Sequence, residues 1–296
     1  MKGEFILKLS KLTVIALASG ALAQAALISD IEYGRAEDQS LKLDAFVPEG
    51  AGPYPAIVWV HGGGFVAGDK APYPQTLLDP LVKEGFAWFS VNYRLSPKYP
   101  FPAETDDVES AVHFIKVHAA QYKVDPNRLV LMGESAGGHL VSFVGAKHEP
   151  ENRVAAVVSF YGEHDLVERT HHKGPCMVDG KALPNPSPIC LSPGLSAFLG
   201  IEGPGPTSER IIKTASPATY VRKDMPPYLL IHGDKDFNVP IEQSYLMCAA
   251  MKKAGASCEL IVVAGGAHGR GSLEKAGGPD AYQPAMTAWL KKVLKQ

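Results

Sequence analysis

The pentapeptide Gly133-Glu134-Ser135-Ala136-Gly137 sets a hydroxyl between two glycines at G-x-S-x-G spacing. A serine becomes a nucleophile when a sharp strand-to-helix turn projects its hydroxyl from a sheet edge, and small flanking residues let strand and helix close up behind it. The apolar run Leu129–Met132 stands in front of the motif, and a helical pattern over His139–Ala146 follows it. A helix beginning there also favours negative charge developing beside the serine. A second motif, His61-Gly62-Gly63-Gly64, ends the apolar run Ala56–Val60. Glycine peptides can aim N–H groups into a site with no side chain in the way. The N–H groups of Gly63 and Gly64, with that of Ala136, are therefore the candidate donors to a tetrahedral oxyanion. The chemistry these residues could perform together is acyl transfer through a covalent intermediate.

A serine nucleophile needs a base, and the base needs an orienting acid. The chain contains ten histidines, so position must decide among them. His268, in Gly265-Gly266-Ala267-His268-Gly269, directly follows the last apolar run and is the expected general base. His61 lies in the glycine turn, where holding that loop is the simpler role. His113, His118 and His139 fall on helical patterns, and His232 ends a strand. The acid belongs between serine and histidine in chain order. Asp234 and Asp236 follow the run Tyr228–Ile231, and Asp165 follows Val154–Phe160. Residue types and spacing leave these three open. Phe65, Tyr161 and Phe237 adjoin the motifs and are candidate substrate-binding residues.

The elements that must position these residues are legible as apolar runs. Ile31–Glu37 and Leu41–Pro48 read as strands around a turn at Asp38-Gln39-Ser40. Ala56–Val60, Phe86–Val91, Leu129–Met132, Val154–Phe160, Tyr228–Ile231 and Leu260–Val263 read as strands buried on both faces. Ala103–Gln121, Ile241–Ala254 and Ala281–Leu294 carry helical periodicity. Strands alternating with helices predict an α/β fold, a mostly parallel central sheet with helices on both faces. Gly162 to Pro217 breaks the rhythm, with Pro175, Pro184, Pro186, Pro188, Pro193, Pro204 and Pro206 and little periodicity. It is expected to be an irregular, proline-rich cap inserted at a strand end over the site.

Composition closes off other classes. A net charge of −2 gives no basic surplus for nucleic acid, and 46% hydrophobic residues exclude a disordered chain. The N-terminal lysines 2, 8 and 11 precede an apolar run, Leu12 to Ala23, that ends in small residues. This is the pattern of a cleaved signal peptide over about residues 1–25, too short for the roughly 20 apolar residues of a membrane span. The mature protein, 26–296, is then expected outside the cytoplasm, secreted or periplasmic and free of the membrane. Four cysteines in an oxidising compartment favour disulfides. The local pairings Cys176–Cys190 and Cys248–Cys258 are preferred: one closes the proline-rich segment, the other ties a helix to the next strand. No C-x-x-C spacing points to zinc, and neither metal nor cofactor is expected.

Taken in order, His-Gly-Gly-Gly-Phe (61–65), Tyr93-Arg94-Leu95, Gly-Glu-Ser-Ala-Gly-Gly (133–138), His-Gly-x-x-Asp-x-x-Val-Pro (232–240) and Gly-x-His-Gly (266–269) resemble the α/β-hydrolase esterases of the hormone-sensitive-lipase-like type. Within these the chain is most similar to bifunctional feruloyl and acetyl-xylan esterase-like domains, over roughly residues 30–294. The resemblance implies Ser135 as nucleophile, His268 as base and Asp236 as acid, with Gly63, Gly64 and Ala136 at the oxyanion. It implies a serine ester hydrolase acting on short-chain or carbohydrate-linked acetyl or feruloyl esters, on a small molecule or a polysaccharide. Two readings compete: a serine peptidase or amidase with the same triad, and a non-catalytic binding protein on a hydrolase fold.

Overall fold

The computed structural model describes residues 26–71, 73–147, 150–171, 177–178, 181–182, 191–202 and 205–295. The expected signal peptide and both Cys176 and Cys190 lie outside the described residues. Among the described residues the chain builds one eight-stranded sheet. Its strands are β1 (Ala26–Ala36), β2 (Gln39–Val47), β3 (Tyr54–Val60), β4 (Ala87–Val91), β5 (Val124–Glu134), β6 (Ala156–Phe160), β7 (Tyr228–Gly233) and β8 (Cys258–Val263). The spatial order is β1-β2-β4-β3-β5-β6-β7-β8. β1 and β2 form an antiparallel hairpin, β2 is antiparallel to β4, and every other pairing is parallel.

Alternation along β3 shows why helices cover both faces. Val58 and Val60 point into one core with Val108 and Val112 of α2 (Ala103–Val117) and Leu140 of α3 (Ala136–Lys147). Ile57 and Trp59 point into the other, with Leu77 and Leu78 of α1 (Gln75–Lys83). The continuous apolar runs are the strands buried on both faces: β4, β6 and β7 have no exposed residue. β8 differs from expectation. It is the sheet edge, and Val262 is 42% exposed because only β7 pairs with it. The topology reverses beside β3: the chain leaves it through α1 to β4 on one side, then returns through α2 to β5 on the other. In parallel sheets the strand ends at such a switch point open a crevice, and ligands bind there.

The segment 162–217 is more regular than its prolines suggest. It contains α4 (Leu166–His171), α5 (Pro193–Leu199), α6 (Pro206–Ala215) and a two-residue-per-strand hairpin, Met177–Val178 with Lys181–Ala182. Pro193 and Pro206 open their helices, where a missing N–H costs no hydrogen bond. Ser192 caps α5 by accepting from the Leu195 N–H, and Gly200 ends it in the left-handed region. The helices α7 (Glu242–Ala254), α8 (Arg270–Gly277) and α9 (Gln283–Leu294) complete the fold. A disulfide joins Cys248 of α7 to Cys258 of β8. Among the described residues no helix is long and apolar enough to cross a membrane.

Candidate active site

Ser135 is the single residue between β5 and α3, and its φ of 53° lies in the left-handed region. A non-glycine residue there is strained, and neighbours must enforce the conformation. The glycines of the motif provide that enforcement. A Cβ on Gly137 would sit 2.2 Å from the carbonyl oxygen of Val60, and one on Gly133 would sit 2.5 Å from that of Gly137. β3, β5 and α3 therefore meet main chain to main chain beneath the serine. The Ser135 N–H donates to Phe160 on β6 (2.9 Å), and its carbonyl accepts from His139 in the first turn of α3 (3.0 Å).

The loop after β8 brings His268 to this turn. Ser135 Oγ and His268 Nε2 are 2.9 Å apart, and His268 Nδ1 is 2.7 Å from Asp236 Oδ2. Nδ1–H donating to the carboxylate leaves Nε2 free to accept the serine proton. Asp236, on the loop after β7, is buried. Its Oδ1 accepts from the backbone N–H groups of Asn238 and Val239, each at 2.9 Å. His232 Nε2 stands 3.3 Å from Oδ2, donates to the Val239 carbonyl at 2.9 Å, and the ring is braced by Ser244 at Nδ1. Burial works against ionising Asp236, but the hydrogen bonds from His232 and His268 outweigh it and hold the acid at about 2.

The two other carboxylates serve elsewhere. Asp234 Oδ1 accepts from the Gly265 N–H (2.6 Å) and so pins the loop that carries His268. Asp165 Oδ1 accepts from the Glu168 N–H at the start of α4. His61 donates from Nδ1 to its neighbour's carbonyl and stacks on Tyr93 at 4.4 Å, which holds the glycine loop in shape.

A cavity of about 630 Å³ opens over Ser135. Gly63, Gly64, Ala136 and His268 line it, so the candidate oxyanion donors share one space with Ser135. Gly63 has φ 114° and Gly64 φ 60°, and the Gly63 carbonyl accepts from Val66 and Ala67 to close the turn. Phe65 and Tyr161 also line the cavity. Phe65 stacks on Phe198 of α5 at 4.1 Å. The Tyr161 ring packs edge-on against His268 at 4.9 Å, and its hydroxyl donates to Glu134 Oε2 at 2.6 Å. Phe237 is 61% exposed and is not among the lining residues. Sequence reasoning missed Glu163, His139 and Leu195, which also form the wall. They belong to no motif, and the prolines around 162–217 hid the helix that carries Leu195. Among the described residues no group of three or more His, Cys, Asp or Glu side chains could hold a metal ion.

An eight-stranded, mostly parallel sheet with helices on both faces and a serine elbow after its fifth strand is the α/β-hydrolase fold. The chain belongs to the BD-FAE family, whose model matches residues 43–251. It is 30% identical over 252 residues to esterase LipQ of Mycobacterium tuberculosis, an alignment covering 79% of this chain and 54% of that protein. It is 29% identical over 259 residues to an acetylxylan esterase of Xylanibacter ruminicola, covering 87% and 49%. Among solved structures, a truncated carbohydrate esterase from gut microbiota superposes with a TM-score of 0.74 at 27% identity, covering 93% of this chain and 99% of that one. The chain spans about half the length of the curated relatives it matches.

Proposed function

We propose that the protein is a carboxylic ester hydrolase working through Ser135, His268 and Asp236. The observation that carries this reading is the unbroken hydrogen-bonded line from Ser135 Oγ through the His268 ring to Asp236, at 2.9 and 2.7 Å. His268 Nε2 takes the Ser135 proton as Oγ attacks the ester carbonyl carbon. The carbonyl electron pair moves onto oxygen, where the N–H groups of Gly63, Gly64 and Ala136 receive it. A donor in that position is worth roughly 3–4 kcal/mol of barrier. The carbon–oxygen bond to the alcohol then breaks, and the alcohol leaves with the proton from His268. Water repeats the sequence on the acyl-serine: His268 takes its proton, hydroxide adds to the carbonyl, and the acid departs as Ser135 recovers its proton. Asp236 fixes the imidazole tautomer and stabilises the imidazolium through both halves.

The substrates proposed are short-chain esters and carbohydrate-linked acetyl or feruloyl esters. An acetylxylan esterase and a carbohydrate esterase among the similar proteins support this class, and the cavity has the size of an ordinary small-molecule site. We read 162–217 as a cap, since Glu163, Ser192 and Leu195 supply part of the wall. Phe65 and Tyr161, which line the cavity, and Phe237, exposed on the loop that carries Asp236, are proposed to contact the substrate. Export, with loss of about the first 25 residues, is proposed from the lysine-flanked apolar N-terminus. The test is Ser135→Ala assayed on p-nitrophenyl acetate, acetyl-xylan and methyl ferulate. The expected result is loss of turnover on every ester the wild type cleaves, with an unchanged circular dichroism spectrum. A folded variant with undiminished turnover overturns the proposal.

A further inference from the structure

Behind the cavity wall, a buried ion pair reaches the catalytic-acid loop from the cap. Arg169 on α4 and Glu163 just before that helix meet at 3.2 Å (Nε to Oε1), with side chains only 6% and 10% exposed. Arg169 also donates from Nη2 to the carbonyl oxygen of Asn238 at 3.0 Å. That carbonyl belongs to the same peptide unit as the Val239 N–H, and the Val239 N–H donates to Asp236 Oδ1. One rigid peptide plane therefore has a guanidinium at its oxygen end and the catalytic carboxylate at its N–H end. A charge-assisted bond to a carbonyl polarises the whole amide and strengthens what its N–H donates. α4 itself is fixed to the body of the protein. Gln243 of α7 accepts from the N–H groups of His164 and Asp165 (2.9 and 2.8 Å) and donates to Glu168 (3.0 Å).

We infer, on the footing of the Ser135–His268–Asp236 reading, that Arg169 is a positioning residue. It holds the Asn238–Val239 peptide against Asp236, with Glu163 as its buried counter-charge, and so couples the docking of α4 to the strength of the Asp236–His268 pair. Burial pushes the Glu163 carboxyl up while Arg169 pulls it down, so removing Arg169 moves it further up.

The experiment compares Arg169→Met and Arg169→Lys with wild type on p-nitrophenyl acetate, with active sites counted by phosphonate titration. Arg169→Met is expected to lower kcat per active site about tenfold with a smaller change in KM, because the main displacement falls on Asp236 and not on the oxyanion donors, although Asn238 and Val239 also line the cavity. The acid limb of the kcat/KM profile moves to lower pH, since a loosely held Asp236 stabilises the imidazolium less. The downfield proton resonance of His268 Nδ1–H moves upfield for the same reason. Arg169→Lys keeps the charge beside Glu163 without the planar fork and is expected to lie between the two. If Arg169→Met does not fold, Arg169→Lys decides by the same three readouts. A variant whose thermal midpoint falls while kcat, acid limb and resonance stay at wild-type values overturns the inference, because a purely structural arginine behaves that way. An active Ser135→Ala would remove the reading underneath. A dead Ser135→Ala alongside unaltered Arg169 variants removes this inference alone.

Discussion

At the proposed nucleophile, position comes from the main chain: Ser135 sits at φ 53° because β3, β5 and α3 pack through glycines with no room for a Cβ. At the acid, position comes from hydrogen bonds: Asp236 is gripped by two loop N–H groups and two histidines, and Arg169 holds one of those N–H groups from behind. The two ends of the hydrogen-bonded Ser135–His268–Asp236 line are thus built in opposite ways. Main-chain packing is shared with the core, so it cannot be loosened without loosening the fold. A hydrogen-bonded carboxylate can be altered one bond at a time. Activity and stability should therefore separate at Asp236 and move together at the elbow.

The largest separation is expected from Asp236→Asn. The amide keeps an oxygen for the Asn238 and Val239 N–H groups, but it loses the negative charge and favours the wrong imidazole tautomer. Turnover should fall about 10⁴-fold, as expected when a triad carboxylate becomes an amide. The ionised acid is held at about 2, below its ordinary 3.8. Losing that preference costs the fold no more than about 2.5 kcal/mol at neutral pH. Steady-state kinetics and a denaturant melt on the same preparation check both halves. Asp234→Asn is the control, because Asp234 holds the Gly265 N–H and does not touch His268. A loss of turnover at Asp234 equal to that at Asp236 would show the acid has been misassigned.

Acid should attack the two ends in the reverse order. Complete burial holds the His139 ring of α3 down at about 4, against the pull of its bond to the Glu163 carbonyl. The unfolded chain protonates this group near its ordinary 6.5 and the folded chain does not. Its contribution to stability is therefore intact above about pH 6.5 and lost as pH falls toward 4. A displacement of that size is worth about 3 kcal/mol. Asp236 keeps its contribution until pH drops through the window from 3.8 to about 2. His61 and His164, also pushed down by burial, act in the same sense as His139, while Glu104 and Glu163, pushed up, act in the opposite one. The informative quantity is consequently the difference between wild type and His139→Gln in urea melts from pH 7 to 4. Wild type should lose stability relative to the variant across that range. Parallel stability curves would mean that His139 does not titrate as its burial requires.

The same contrast explains what could be read from the sequence. The inner strands β3, β4, β6 and β7 are prefigured by apolar runs, because a strand covered on both faces has no polar side to interrupt it, whereas β2 shows as an alternating, half-buried pattern. The ends were less visible. β5 extends back to Val124 through Asp125, Pro126 and Asn127, where the apolar signal has already stopped. α1 was missed because Pro74 precedes it and Pro80 lies within it. α8 was missed because glycines leave it one buried anchor, Leu273. The elbow was legible for the reason that makes it rigid: main-chain contact demands glycine at fixed intervals. Asp234 and Asp236 could not be separated by spacing, since both occupy one short loop and their partners lie on other strands; only the family resemblance distinguished them. Arg169 and Asn238 are 69 residues apart and share no periodicity, so nothing local could have announced their contact.

Gly137→Ala tests the nucleophile's half of the comparison with the smallest chemical change, one methyl group. The new Cβ would lie 2.2 Å from the Val60 oxygen and 2.4 Å from the His61 oxygen. Both are main-chain atoms at the end of β3, so no side chain can swing aside to accept it. Either α3 backs away from the sheet or the His61–Gly64 loop moves, and both displace the candidate oxyanion donors from Ser135. Overpacking of this kind costs about 2 kcal/mol, visible as a lower midpoint in urea. Gly271→Ala is the matched control: nothing lies within 4 Å of its Cβ position in α8, so it should leave stability equal or slightly raised. Turnover of Gly137→Ala should fall together with the midpoint, unlike that of Asp236→Asn. If the variant kept wild-type stability and lost only turnover, the elbow would be as adjustable as the acid, and main-chain packing would not be what holds Ser135 in place.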